Sequence, residues 1–178
     1  GRKGRAHREA DQCTATGHAV LVHAGGTMSP EMQIPKLMWL KNHLNQSWSR
    51  MAHAFDLADF LTWKATGSTA RSQCTLTCKW TYRPHEPEGW SADFLAAVGL
   101  DDLISKAALP ENAAPVGSCI GTLTATAAQE LGLTEACKVS AGLIDAYGGA
   151  LGALGAHTAD ASAVENHMAL IAGTSSCV

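Results

Sequence analysis

From Cys119 onward the chain alternates short runs of small and β-branched residues with stretches of helical period, and this alternation narrows the possible folds most. "CIGTLT" reads as a strand, "ATAAQELGL" as a helix and "CKVSAGLIDA" as a second strand. "GGALGALGAH" follows as a small-residue helix, and "HMALIAGTSS" as an apolar strand running into a glycine and hydroxyl side chains. Strand, helix, strand, helix, strand predicts an α/β layer at this end of the chain. No internal repeat of fixed period interrupts it.

The preceding half reads as helical, as an insertion or cap on that layer. In "MSPEMQIPKLMWLKNHL", Ser29 is the expected N-cap, with Pro30 and Glu31 in the first turn, and Pro35 restarts the helix. Leu37, Leu40 and Leu44 then fall at helical spacing. In "FDLADFLTWKATG", Asp56 caps and Gly67 stops a helix, and core packing accounts for Leu57, Phe60 and Leu61. "RPHEPEG" is a proline-broken loop, followed by two short helices in "WSADFLAAVGL" and "DDLISKAAL".

Composition sets outer limits. With 46% hydrophobic and 16% charged residues the chain is globular rather than disordered. A net charge of -3 gives no reason to expect nucleic acid as a partner. No apolar run approaches the roughly 20 residues of a membrane helix, and no charged-then-apolar leader opens the chain. The expected compartment is therefore the cytoplasm. None of the six cysteines form a Cys-x-x-Cys pair. Cys74 and Cys78 share a helix face, but two ligands without a second pair do not make a zinc site, so no metal site is predicted.

Two strand ends carry possible chemistry. In "LIDAYGG", Asp145 stands at the end of an apolar run, with Gly148, Gly149 and Gly152 behind it. Ligands of open α/β sheets gather beyond the carboxyl ends of strands, where a carboxylate can take a proton from a substrate hydroxyl. An Asp that simply caps the next helix fits the same sequence, and both readings stay open here. In "AGTSS", Gly173 permits a tight turn, and Thr174 and Ser175 offer hydroxyls and backbone N–H groups to a phosphate. No lysine follows at P-loop spacing.

Taken in order, "SPEMQIPKLMWLKNH", "DLADFLTWKATG", "RSQCTLTCKWTY", "GLIDAYGGALG" and "IAGTSS" resemble the FGGY family of carbohydrate kinases, in its ribulokinase-like branch that includes D-ribulose kinases. The resemblance runs from about Glu9 to the end. It implies an α/β fold: a partial actin-like ATPase (ribonuclease-H-like) domain with a mainly helical insertion. Residues 1–165 would be part of the N-terminal sugar-binding domain, and residues 166–178 the start of a C-terminal ATP-binding domain.

The resemblance also implies roles. Asp145 corresponds to the base that faces the sugar hydroxyl, although relatives often carry His where this chain has Tyr147. Lys79, in "CKW", corresponds to a lysine that contacts the ketopentose; the alternative is a snorkelling helix lysine. Gly173, Thr174 and Ser175 correspond to the turn that approaches the ATP γ-phosphate. The implied cofactors are ATP and Mg²⁺, bound mostly by parts outside this sequence, and the implied substrate is a small sugar. Trp39, Trp63 and Trp80 offer either a sugar-stacking ring or core packing.

Two family features are missing: the opening Asp-x-Gly-Thr turn, and the Asp-His pair of a Trp-x-Asp-His-Arg-Ala segment, for which "GRKGRAHREAD" stands here. The expectation is a ketopentose kinase, D-ribulose to D-ribulose 5-phosphate, whose isolated 178-residue piece neither turns over nor folds robustly. The alternative is a non-catalytic truncated or spliced product that at most binds sugar or a partner.

Overall fold

The computed structural model describes residues 6–155, 161–172 and 176–177, in two units, residues 1–142 and 143–178. In the first unit α1 (His7–Ala15) packs on α2 (Gln33–His43), with a 3-10 helix (Ala19–Ala24) between them. Then come α3 (Asn45–Arg50), α4 (Leu57–Thr66), α5 (Gln73–Trp80), α6 (Ala92–Ala97) and α7 (Leu103–Lys106). β1 (Cys119–Thr122), α8 (Ala125–Leu131) and β2 (Lys138–Ser140) complete it.

Its main core is helical: Ile34, Leu76, Phe94, Leu100 and Leu103 lose all solvent contact there. Each such side chain contributes about 1.5–3 kcal/mol of apolar transfer. A smaller cluster joins Leu123, Ala127 and Ala128 of the α8 region to Ala65, Cys137 and Val139. The helical half and the β1–α8–β2 segment thus have separate apolar centres.

Helix α2 begins three residues later than the Ser29 cap predicts. Ser29 Oγ instead accepts from Glu31 N at 3.2 Å in the preceding turn. A start at Pro30 would bury Pro35 in the helix interior, where its ring clashes with a carbonyl one turn back. Starting at Gln33 keeps Pro35 in the first turn, where no intrahelical N–H is lost.

Helix α4 ends as expected. Asp56 accepts from Leu57 N at 3.1 Å, and Gly67 takes the left-handed conformation at φ 74°. Its apolar residues, however, do not pack in a core: Leu57, Phe60 and Leu61 are 69%, 42% and 57% exposed. The helix turns its small side chains inward. A Cβ on Gly142 would lie 3.1 Å from Ala58 Cβ, and one on Gly121 would lie 3.2 Å from Thr66 Cβ. Close approach to the strands selects that face and leaves the large residues outside.

β1 and β2 pair antiparallel, Cys119 with Ser140 and Thr122 with Lys138, with an irregularity between Cys119 and Gly121. In the second unit, α9 (Asp145–Leu154) and α10 (Ala161–Glu165) precede β3 (Ile171–Ala172) and β4 (Ser176–Cys177). β3 and β4 also pair antiparallel, Ile171 with Cys177, and the Ile171 side chain packs close to Gly149 of α9. From β1 onward the first four elements follow the predicted order, but β2 stops at Ser140, so Asp145 begins a helix rather than ending a strand, and α10 and β4 were not predicted. The last strand is shorter than expected, and its direction was never fixed by that order.

Candidate active site

Asp145 occupies the first position of α9, after Ile144 in extended conformation at φ -71° and ψ 152°. It is therefore not the N-cap itself. Its Oδ1 accepts from the adjacent Ala146 N at 2.8 Å, and the side chain is exposed. A carboxylate in a first helical turn is favoured by the N-terminal end of the helix dipole. The charge is thereby held at the helix start while its remaining lone pairs stay open to solvent or a ligand.

Lys79 belongs to the first unit, in the last turn of α5, where a cation complements the helix C-terminus. It is half-buried and forms no ion pair among the described residues. Its three donors thus remain available. The helix beneath it is firmly set. Ser72 caps it by accepting from Cys74 N at 3.1 Å, Leu76 and Trp80 are buried, and Thr81 ends it in the left-handed region at φ 65°.

The tryptophans divide. Trp80 is 1% exposed and donates Nε1–H to Asp56 at 3.3 Å, which makes it a core residue. Trp39 stacks on His43 at 4.9 Å between ring centroids, and Trp63 on Phe55 at 5.4 Å; both are partly exposed. Gly173, Thr174 and Ser175 lie outside the described residues. Among the described residues no group of three or more His, Cys, Asp or Glu gathers to hold a metal ion, and neither Cys74 nor Cys78 forms a disulfide. No helix among them is long and apolar enough to cross a membrane.

Sequence reasoning missed a buried polar node at the start of α5. Asp59, the buried residue of α4, accepts from Ser72 N at 2.8 Å through Oδ1 and from the Thr75 hydroxyl at 2.5 Å through Oδ2. Ser72 donates its own hydroxyl to Gly142 O at 2.6 Å. Arg71 donates to the carbonyls of Ala54 and Thr69 and lies 3.6 Å over the Phe55 ring. Burial pushes the Asp59 carboxyl above the ordinary Asp range, against the pull of the Thr75 and Ser72 donors and of Arg71. An acidic residue flanked by Ala58 and Phe60 in a helical run was the signal that marked it.

Known proteins agree with this architecture. The N-terminal domain profile of the FGGY family of carbohydrate kinases matches residues 3–152. An FGGY carbohydrate kinase domain-containing protein of Danio rerio is 50% identical over 97% of this chain and 33% of its own length. A D-ribulokinase of Saccharomyces cerevisiae is 39% identical over 97% of this chain and 28% of its own. The chain spans about a third of the length of the curated relatives it matches.

Among solved structures, a xylulose kinase from Rhodospirillum rubrum superposes over 84% of this chain and 30% of its own, with a TM-score of 0.68 and 22% identity. That likeness establishes the fold: part of the actin-like N-terminal domain of sugar kinases, with its helical insertion. With its N-terminal domain profile matched over residues 3–152, this chain belongs to the FGGY family of carbohydrate kinases.

Proposed function

We propose that this chain is the sugar-side part of an ATP-dependent ketopentose kinase that converts D-ribulose to D-ribulose 5-phosphate. The observation that carries the substrate is the 39% identity to a D-ribulokinase across nearly the whole chain. In this reading residues 1–165 serve the sugar and residues 166–178 begin the ATP-binding domain.

Asp145 is the proton acceptor. Its exposed carboxylate orients the primary hydroxyl of the sugar. As the hydroxyl oxygen bonds to the γ-phosphorus and the bond to ADP breaks, Asp145 takes the hydroxyl proton, and the departing electron pair stays on the ADP oxygen. Because the transition state is loose, positioning and charge stabilisation do most of the work. Lys79 holds sugar oxygens with its free donors. Gly173, Thr174 and Ser175 approach the γ-phosphate. Mg²⁺ takes oxygen ligands and would neutralise phosphate charge, but the described residues bring no cluster of acidic donors to hold it, and no step here runs through it.

The test is sugar-dependent ADP release by the protein expressed from its complete reading frame, with D-ribulose, D-xylulose and a polyol compared. D-ribulose is expected to give the highest kcat/KM. Preference for the polyol, or ADP release that no sugar stimulates, contradicts the assignment.

A further inference from the structure

The proline-broken loop from Arg83 to Gly89 is closed on itself. Arg83 N donates to Gly89 O at 2.8 Å, Glu86 N to Arg83 O at 3.1 Å, and Gly89 N to Glu86 O at 3.1 Å. Tyr82, just before it, is buried and tilts against Trp90 at 5.1 Å between ring centroids. Thr81 turns the chain out of α5 into this loop from the left-handed region at φ 65°. The backbone that carries Arg83 is therefore fixed at both ends, although its sequence reads as loop.

Arg83 lines a small cavity in the first unit with His23, Thr77 and His85, beside the apolar Val20 and Met32. The cavity measures about 50 Å³. That is several times the roughly 10–15 Å³ one water needs, and far below the roughly 300–1,000 Å³ of a pocket for a drug-sized ligand. It suits a group of a few heavy atoms.

The polar groups around it are mostly donors. Arg83 Nε is buried and has no hydrogen-bond partner. A buried N–H left unpaired costs more than a made bond returns, and in a native structure it points to an ion or ligand. The His23 and His85 rings lie 5.2 Å apart between centroids, and each imidazole can donate an N–H. Glu86 Oε1 lies 3.7 Å from Arg83 Nη1 and 3.8 Å from His85 Nε2, too far to bond to either. The carboxylate thus offsets charge without satisfying the donors. Nε and Nη of one guanidinium form the fork that grips two phosphate oxygens, and donors from the 3-10 helix, α5 and the loop suit a tetrahedral anion better than a flat one.

We propose that this cavity binds a phosphate group, held by the Arg83 fork and the His23 and His85 imidazoles, with Glu86 as the carboxylate that the ligand displaces.

The experiment titrates inorganic phosphate, methyl phosphate and acetate, by calorimetry at low ionic strength, into the protein from the complete reading frame. A non-hydrolysable ATP analogue is present throughout, so that a nucleotide site does not report. Wild type, Arg83→Gln and Glu86→Gln are compared, with melting curves for each. The wild type is expected to bind one phosphate per chain, about tenfold more tightly than acetate. Arg83→Gln should weaken binding about tenfold or more, as loss of a charge-assisted hydrogen bond does. Glu86→Gln removes the competing carboxylate and should tighten it twofold or more. Tighter binding of methyl phosphate than of inorganic phosphate assigns the end of a phosphate monoester, and the reverse assigns the free ion.

Equal affinity in wild type and Arg83→Gln, weaker binding in Glu86→Gln, acetate bound as tightly as phosphate, or no saturable binding by the wild type overturns the site. Should Arg83→Gln melt below the titration temperature, Glu86→Gln decides alone, because that side chain is 40% exposed and holds no hydrogen bond to lose.

Discussion

Asp59 shows most clearly how one residue can be plain in the sequence and opaque in purpose. Its place in α4 follows from the Asp56 cap and the Gly67 stop, but its burial depends on Ser72 and Thr75, which are distant in sequence. Burial raises its carboxyl pKa above the ordinary aspartate range. A raised acid binds its proton more tightly in the folded chain than in the unfolded one. Its stabilising contribution is therefore full below the unfolded-state value and is lost as pH rises through the folded-state value. Asn at this position has no charge to bury and keeps an acceptor for Ser72 N. Melting curves from pH 4 to 7 should show Asp59→Asn gaining on the wild type as pH rises; a constant or shrinking margin contradicts this. Cys13 is a second residue-scale case, buried without solvent contact, its thiol pushed up to about 12 chiefly by burial. At pH 8 an alkylating reagent should modify the exposed Cys119 in the folded chain and reach Cys13 only after unfolding. Rapid modification of Cys13 in the native protein would show its environment to be wrong.

At the scale of elements, the caps of α4 were readable, its inward face was not, and the Ser29 cap expected for α2 sits in the turn before it. Asp56 and Gly67 bound α4 as their chemistry requires, because a cap acts on its own few residues. Which face of α4 turns inward is decided by the strands beside it, and Gly121 and Gly142 admit only small partners. Leu61→Ala should accordingly change stability by no more than about 0.5 kcal/mol, whereas Leu76→Ala, in the helical core, should cost about 2–5 kcal/mol. Comparable losses in denaturant titrations would contradict the assigned faces. The α2–α3–α7 corner depends on one side chain. Asp102 accepts from Lys41 Nζ at 2.7 Å and from Trp48 Nε1 at 3.0 Å. Partial burial works against its charge, yet the two donors hold its carboxyl below the usual range. Asp102→Ala leaves the buried Trp48 indole without its acceptor and should cost about 1–3 kcal/mol. A melting temperature equal to that of the wild type would show that this corner does not depend on the carboxylate.

For the molecule as a whole, the order of element types and the family motifs pointed to the sugar-kinase fold, and the superposition on a xylulose kinase bears that out. Strand direction lay beyond sequence order, because pairing depends on non-local contacts. Both ladders are antiparallel and no longer than three residue pairs. Lys79 and Asp145 were visible as motif members, while the buried hydrogen-bonded node at Ser72 was not, since it draws together residues 59, 72, 75 and 142. The isolated 178-residue chain, with Leu131, Leu133 and Leu151 more than half exposed, is expected to aggregate and to release no ADP. A cooperative melt from a monodisperse monomer would contradict that expectation. The most direct test of the central claim is ADP release with saturating ATP and D-ribulose by the protein from the complete reading frame, wild type against Asp145→Asn. If Asp145 is the base, the substitution lowers kcat by roughly 10²–10⁴-fold with the melting temperature unchanged; a kcat equal to that of the wild type would remove Asp145 from the chemistry.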